Sequence, residues 1–84
     1  MLSDHSQVLI GPIGDEQALR SRLGARLRSL RKQRGLTMMV LANRAQCSQS
    51  LLSKVETGNL LPSLPMLQRL SRALESDMSF FLEG

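Results

Sequence analysis

Apolar positions fall into short stripes at helical spacing from residue 15 onward, separated by residues suited to ending one helix and capping the next. Leu19, Leu23, Leu27 and Leu30 recur at steps of four, four and three, which predicts a long helix with one buried face. Asp15 is the candidate N-cap, Glu16 suits the positive end of the helix dipole, and Gly35 can end the helix as its C′ residue. Arg31, Lys32 and Arg34 lie in the last turn, where the dipole favours cations. Thr37 caps a short second helix with Val40, Leu41 and Ala45 inward, and Gln46-Cys47 break it. Ser48 caps a third helix with Leu52 and Val55 as its inner side, stopped by Gly58. Ser63 caps a fourth, whose first turn accepts Pro65 and whose expected inner stripe is Leu64, Leu67, Leu70 and Leu74. Asp77 caps a last short turn, Met78 to Leu82, which brings Phe80 and Phe81 to the core edge.

Residues 1–14 show no sustained period and contain Gly11, Pro12 and Gly14, so they are expected to form a flexible N-terminal arm. Within it, Val8-Leu9-Ile10 admits a short strand, a cover for a partner surface or a disordered tail. Residues 15–84 form one all-α domain, a compact bundle of about five helices with short connections.

The chain has 84 residues, so it holds one small domain or is a piece of something larger. With one cysteine and one histidine it cannot add a disulfide or a cysteine/histidine metal staple, and no cofactor or metal is expected. Phe80 and Phe81 are the only aromatics, which argues against modules that stack unpaired bases on exposed rings. There is no basic, then apolar, signal-peptide pattern and no apolar run near the roughly 20 residues that span a bilayer. The expected location is the cytoplasm, away from membranes.

Net charge is +4 and the sequence pI about 10.7. Between Gln17 and Val55 stand Arg20, Arg22, Arg26, Arg28, Arg31, Lys32, Arg34, Arg44 and Lys54, with no Asp or Glu, so this stretch carries +9. Charge alone leaves two readings open, a solvated arginine-rich helix and a surface for an anionic partner.

Two short helices joined by a three- or four-residue turn, the second opening on small polar residues, form a helix-turn-helix arrangement at Thr37 to Thr57. Gln49, Ser50, Ser53 and Lys54 fall off the Leu52/Val55 side, and such groups can hydrogen-bond base edges in a major groove. The chain resembles the phage repressor/Cro-type, or xenobiotic-response-element, helix-turn-helix regulators. The residues that carry this are Leu23-Gly24-Ala25-Arg26-Leu27-Arg28-Ser29-Leu30-Arg31, Arg34-Gly35-Leu36-Thr37, Leu41-Ala42, Cys47-Ser48, Leu52-Ser53-Lys54-Val55-Glu56-Thr57-Gly58, Pro62-Ser63-Leu64, Leu67 and Ala73-Leu74.

The resemblance implies a lambda-repressor-like domain that binds a double-stranded DNA operator as a homodimer and regulates transcription, as a repressor. Carried over by position, Gln49, Ser50, Ser53 and Lys54 would read bases, with Leu51 at the rim. Thr37, Arg44, Ser48 and Asn59 would touch the DNA backbone, and Arg31 would pair with Glu56 as a structural ion pair. In one branch of the family a ligand-sensing domain, often a cupin barrel, follows this stretch, so an effector or partner domain outside this chain is allowed for.

The pattern is also broken in places. Met38 stands where a phosphate-binding glutamine is frequent, Cys47 where a valine is common, and Gln46 where a turn glycine is usual. If position 46 needs a positive φ, glutamine strains it by roughly 1 kcal/mol. Glu75-Ser76 replace a Gly-Val pair, which predicts a looser junction before Asp77. An antitoxin-type or bridging domain of the same fold is the alternative function, since fold does not fix function. An enzyme is not expected: His5 lies in the arm, Cys47 in a packed turn, and no two carboxylates share a helix at catalytic spacing.

Overall fold

Pro12 opens the first helix of the computed structural model, which describes residues 12–82, with side chains from residue 15 onward. Five helices follow in order: α1 Pro12–Gln33, α2 Met38–Arg44, α3 Gln49–Glu56, α4 Leu64–Ala73 and α5 Met78–Leu82. No strand occurs among the described residues. Residues 12–14, expected in the arm, therefore belong to α1, and Asp15 sits in its first turn rather than at its N-cap. Pro at the start of a helix is itself a start signal, because its missing N–H is one the first turn leaves unbonded anyway. The expectation for Val8-Leu9-Ile10 lies outside the described residues.

Three other caps fall where the sequence placed them. Thr37, Ser48 and Ser63 have extended backbones, and their hydroxyls accept from the N–H groups of Val40, Leu51 and Met66 at 3.1, 3.0 and 3.2 Å.

One closing device ends each of the first four helices. At α1 the N–H of Gly35 donates to the Lys32 carbonyl and that of Leu36 to the Arg31 carbonyl, the paired bonds of a Schellman turn. The same pair recurs at Gln46 and Cys47, at Gly58 and Asn59, and at Glu75 and Ser76. The reversing residue has positive φ each time: +71° at Gly35, 59° at Gln46, +81° at Gly58 and 55° at Glu75. The junction before Asp77 is thus closed as fully as the others, not looser as its sequence suggested. Its departure from glycine appears as left-handed backbone on a residue with a Cβ.

The core gathers one face from each helix: Leu23, Leu27 and Leu30 of α1, Leu41 and Ala42 of α2, Leu52 and Val55 of α3, Met66, Leu67 and Leu70 of α4, and Phe81 of α5. α1 packs on α3 and α5, α2 on α3 and α4, and α4 on α5. The inner stripe of α4 differs from expectation at one position, since Leu64 is 65% exposed and Met66 is buried in its stead. Leu64 is the first residue of the helix, where a side chain leans back over the preceding loop and not onto the bundle. Phe81 is buried and Phe80 is 42% exposed, the two rings meeting edge to face at 5.2 Å.

Candidate nucleic-acid interface

α3 exposes one side and is held firmly on the other. Leu52 and Val55 are fully buried, whereas Gln49, Ser50 and Lys54 are exposed and Ser53 and Leu51 are half-buried. The four candidate base-reading residues therefore share the helix whose opposite face is locked into the core, so their positions follow the fold and not a loop. Thr57 Oγ1 donates toward the carbonyls of Ser53 at 2.9 Å and Lys54 at 3.2 Å, and Asn59 Nδ2 donates to Thr57 Oγ1 at 3.0 Å, which stitches the end of α3 to the loop. The Thr37 and Ser48 hydroxyls accept cap bonds yet each keeps its O–H to donate elsewhere.

Two features fix where α3 sits on α1. Arg31 Nε donates to Glu56 Oε2 at 2.7 Å and Nη2 to Oε1 at 3.1 Å, while Nη1 reaches the Leu36 carbonyl at 2.9 Å. Both residues are only 7% exposed, so the expected ion pair is present, bidentate and buried. Gly24 lies where the two helices cross: a Cβ there would collide with the Val55 carbonyl oxygen and come within 2.7 Å of that of Glu56. Only a residue without a side chain lets α1 come this close.

Much of the positive charge noted in the sequence has a structural task. Arg34 Nε donates to the Leu74 carbonyl at 2.8 Å, and Arg69 Nε to the Ala45 carbonyl at 2.8 Å. Arg20 reaches the Gly58 carbonyl at 3.4 Å and Arg26 that of Phe80 at 3.3 Å. These carbonyls lie at the ends of other helices, which terminate with unbonded oxygens and negative dipole ends. Arginines distant in sequence thus act as C-terminal caps. Charge counting could not reveal this, because each partner is 24 or more residues away.

Arg44 and Arg72, by contrast, are exposed, and their side chains make no hydrogen bond or ion pair with any described residue. Arg44 stands in the last turn of α2, at the far end from Thr37. It lines a cleft with Gln46, Arg69, Arg72 and Ala73, and also borders a second cavity lined by Arg34, Leu36, Ala73, Leu74 and Glu75. No residue of α3 lines either. Sequence reasoning missed Arg69 and Arg72 because they lie beyond the acid-free stretch. Beside the turn, the Cys47 thiol is half-buried and burial pushes its pKa above the ordinary 9.0, with the Arg69 charge opposing in part. No group of three His, Cys, Asp or Glu among the described residues could hold a metal ion. No described helix is long and apolar enough to cross a membrane.

A family model described as "Helix-turn-helix domain" matches residues 22–78, about two thirds of the chain. The chain belongs to this family. The helix-turn-helix domain is 41% identical over 63 residues to the HTH-type transcriptional regulator DdrOP3 of Deinococcus deserti, covering 75% of this chain and 49% of that protein. The chain therefore spans about half the length of this relative. Among solved structures, the restriction-modification controller protein C.AhdI from Aeromonas hydrophila superposes with a TM-score of 0.74 at 31% identity, covering 76% of this chain and 97% of that one. An HTH_3 family transcriptional regulator from Vibrio cholerae gives a TM-score of 0.75 at 28% identity, covering 80% of this chain and 38% of that one. The resemblance to phage repressor/Cro-type regulators holds, and the family is one of DNA-binding transcription regulators, not of enzymes.

Proposed function

We propose that this helix-turn-helix domain binds a double-stranded DNA operator as a homodimer, lays α3 in the major groove and represses transcription by covering the site, in the cytoplasm. The observation that carries the reading is the division of α3 into a locked apolar side and an open polar one bearing Gln49, Ser50, Ser53 and Lys54. Gln49 suits the adenine edge and Lys54 the guanine edge. Thr37, Ser48 and Asn59 donate to phosphates on either flank, positioning the helix without reading sequence. Arg44, expected with them, is exposed at the other end of α2 and borders a cleft with α4. The names of the Deinococcus and Aeromonas relatives support a regulatory role.

The test is selection of bound duplexes from a random pool, with stoichiometry and salt dependence measured on the winners. Two chains per near-palindromic duplex are expected, and log K should fall against log salt by about 0.9 for each phosphate neutralised. A salt-insensitive affinity, or no enriched sequence, would overturn the reading.

A further inference from the structure

Three helix C-termini meet around two cavities that share Arg44 and Ala73: those of α1 at Arg34 and Leu36, of α2 at Arg44 and Gln46, and of α4 at Arg72 to Glu75. Each brings roughly half a negative charge from its dipole. Against these stand Arg34, Arg44, Arg69 and Arg72, with the Glu75 carboxylate at one end. The dipole ends are already met, since Arg34 caps the Leu74 carbonyl and Arg69 caps the Ala45 carbonyl. The side chains of Arg44 and Arg72 remain as surplus, exposed and unpartnered among the described residues; Arg72 lines only the part without Glu75, and Arg44 lines both parts.

We infer that the cleft between Arg44 and Arg72 docks an acidic segment of a protein partner, two guanidinium forks receiving carboxylates while the Gln46 amide offers a further donor. The inference goes beyond the proposed DNA reading. Planar forks match carboxylates in two-bond geometry, and four of the five residues that line this open site, Arg44, Gln46, Arg69 and Arg72, carry polar or charged side chains. A protein segment is favoured over a phosphate backbone because α2 and α4 build the arginine end while the base-reading side chains are on α3, which contributes nothing to it. A duplex held by α3 and an acidic segment held here could be bound together.

The experiment uses the whole chain and a fluorescein-labelled deca-glutamate peptide as probe, read by anisotropy and by amide chemical-shift changes. Saturable binding is expected, with the largest shifts at Arg44, Gln46, Arg72 and Ala73. Arg72→Gln should weaken it about tenfold, the loss of one charge-assisted pair. Arg28→Gln, which removes an equal charge from an exposed position on α1, should change it less than twofold. Arg72→Gln should leave the affinity for selected duplexes within twofold. Equal losses from both variants would mean diffuse attraction, and a selective loss of duplex affinity in Arg72→Gln would make the cleft a DNA contact. Either result overturns the inference, as does a failure of the peptide to bind. Failure of the DNA reading is a separate outcome, seen in the duplex selection alone.

Discussion

Arg31 and Glu56 lie 25 residues apart in sequence and share two hydrogen bonds inside the protein, tying the end of α1 to the last residue of α3. Removing one partner strands a buried charge, at a cost of about 3–5 kcal/mol. A domain of this size has a total stability of about 5–10 kcal/mol, so Arg31→Ala should remove a large part of it. Arg31→Met with Glu56→Leu should recover most of the loss, since apolar pairs of similar volume often replace buried ion pairs without penalty. Urea denaturation of the single and double variants checks this, and a double variant as unstable as the single would contradict it.

Gly24→Ala should destabilise by more than 2 kcal/mol, because the added methyl meets backbone carbonyls of α3, which cannot turn aside as a side chain would. Gly35→Ala provides the contrast. Its Cβ would find open space, leaving only the positive-φ strain of about 1–2 kcal/mol. Urea midpoints that place Gly35→Ala as the more damaging change would refute the close-approach argument.

Gln46→Gly and Glu75→Gly should each stabilise the fold, since the backbone is left-handed at both positions. The gain is about 0.5–1 kcal/mol after the greater freedom of glycine in the unfolded chain is subtracted. That corresponds to a rise of a few degrees in melting temperature for a domain this small. A fall in melting temperature for both variants would show that the turns are relaxed as they stand.

Gln49→Ala and Asn59→Ala should separate reading from holding. The first should flatten base preference at one position of the selected site by about 1–3 kcal/mol, and the second should weaken all duplexes alike. Duplex selection with each variant distinguishes the two, and an unchanged preference in Gln49→Ala would remove that residue from the reading set.

Cys47 should react slowly with a disulfide reagent at pH 8, because burial holds its thiol above the ordinary pKa of 9.0. The sign of the linkage follows. The folded state keeps this proton to higher pH than the unfolded chain does, so its contribution is whole below pH 9.0 and is lost as pH rises beyond. A labelling rate equal to that of the urea-unfolded chain would disprove the burial.

Features governed by neighbours along the chain were legible in the sequence, and those set by distant contacts were not. Thr37, Ser48 and Ser63 each satisfy an N–H three residues on, and Gly35 and Gly58 close turns within five residues, so the elements between them could be read directly. Arg31 with Glu56 was reached through resemblance, since nothing local joins them. Arg34 on Leu74 and Arg69 on Ala45 were invisible for the same reason. The start of α1 was misplaced because Gly11, Pro12 and Gly14 were weighed as breakers, whereas Pro12 begins the helix and Gly14 lies within it. In the candidate interface, the outward side of α3 followed from period alone. The cleft at Arg44 and Arg72 needs α2 and α4 brought together, which no local pattern encodes.

The turn at Gln46 joins two helices whose ends are both fixed, Ala45 by its bond from Arg69 and Ser48 by its cap on Leu51. Its two backbone bonds admit one length of chain only. One extra residue placed there would rotate α3 by about 100° about its own axis if the core stayed in place. Gln49 and Lys54 would then swing away while Leu52 came to the surface. The angular phase of this short connection, more than its composition, sets which residues the protein can present to a partner.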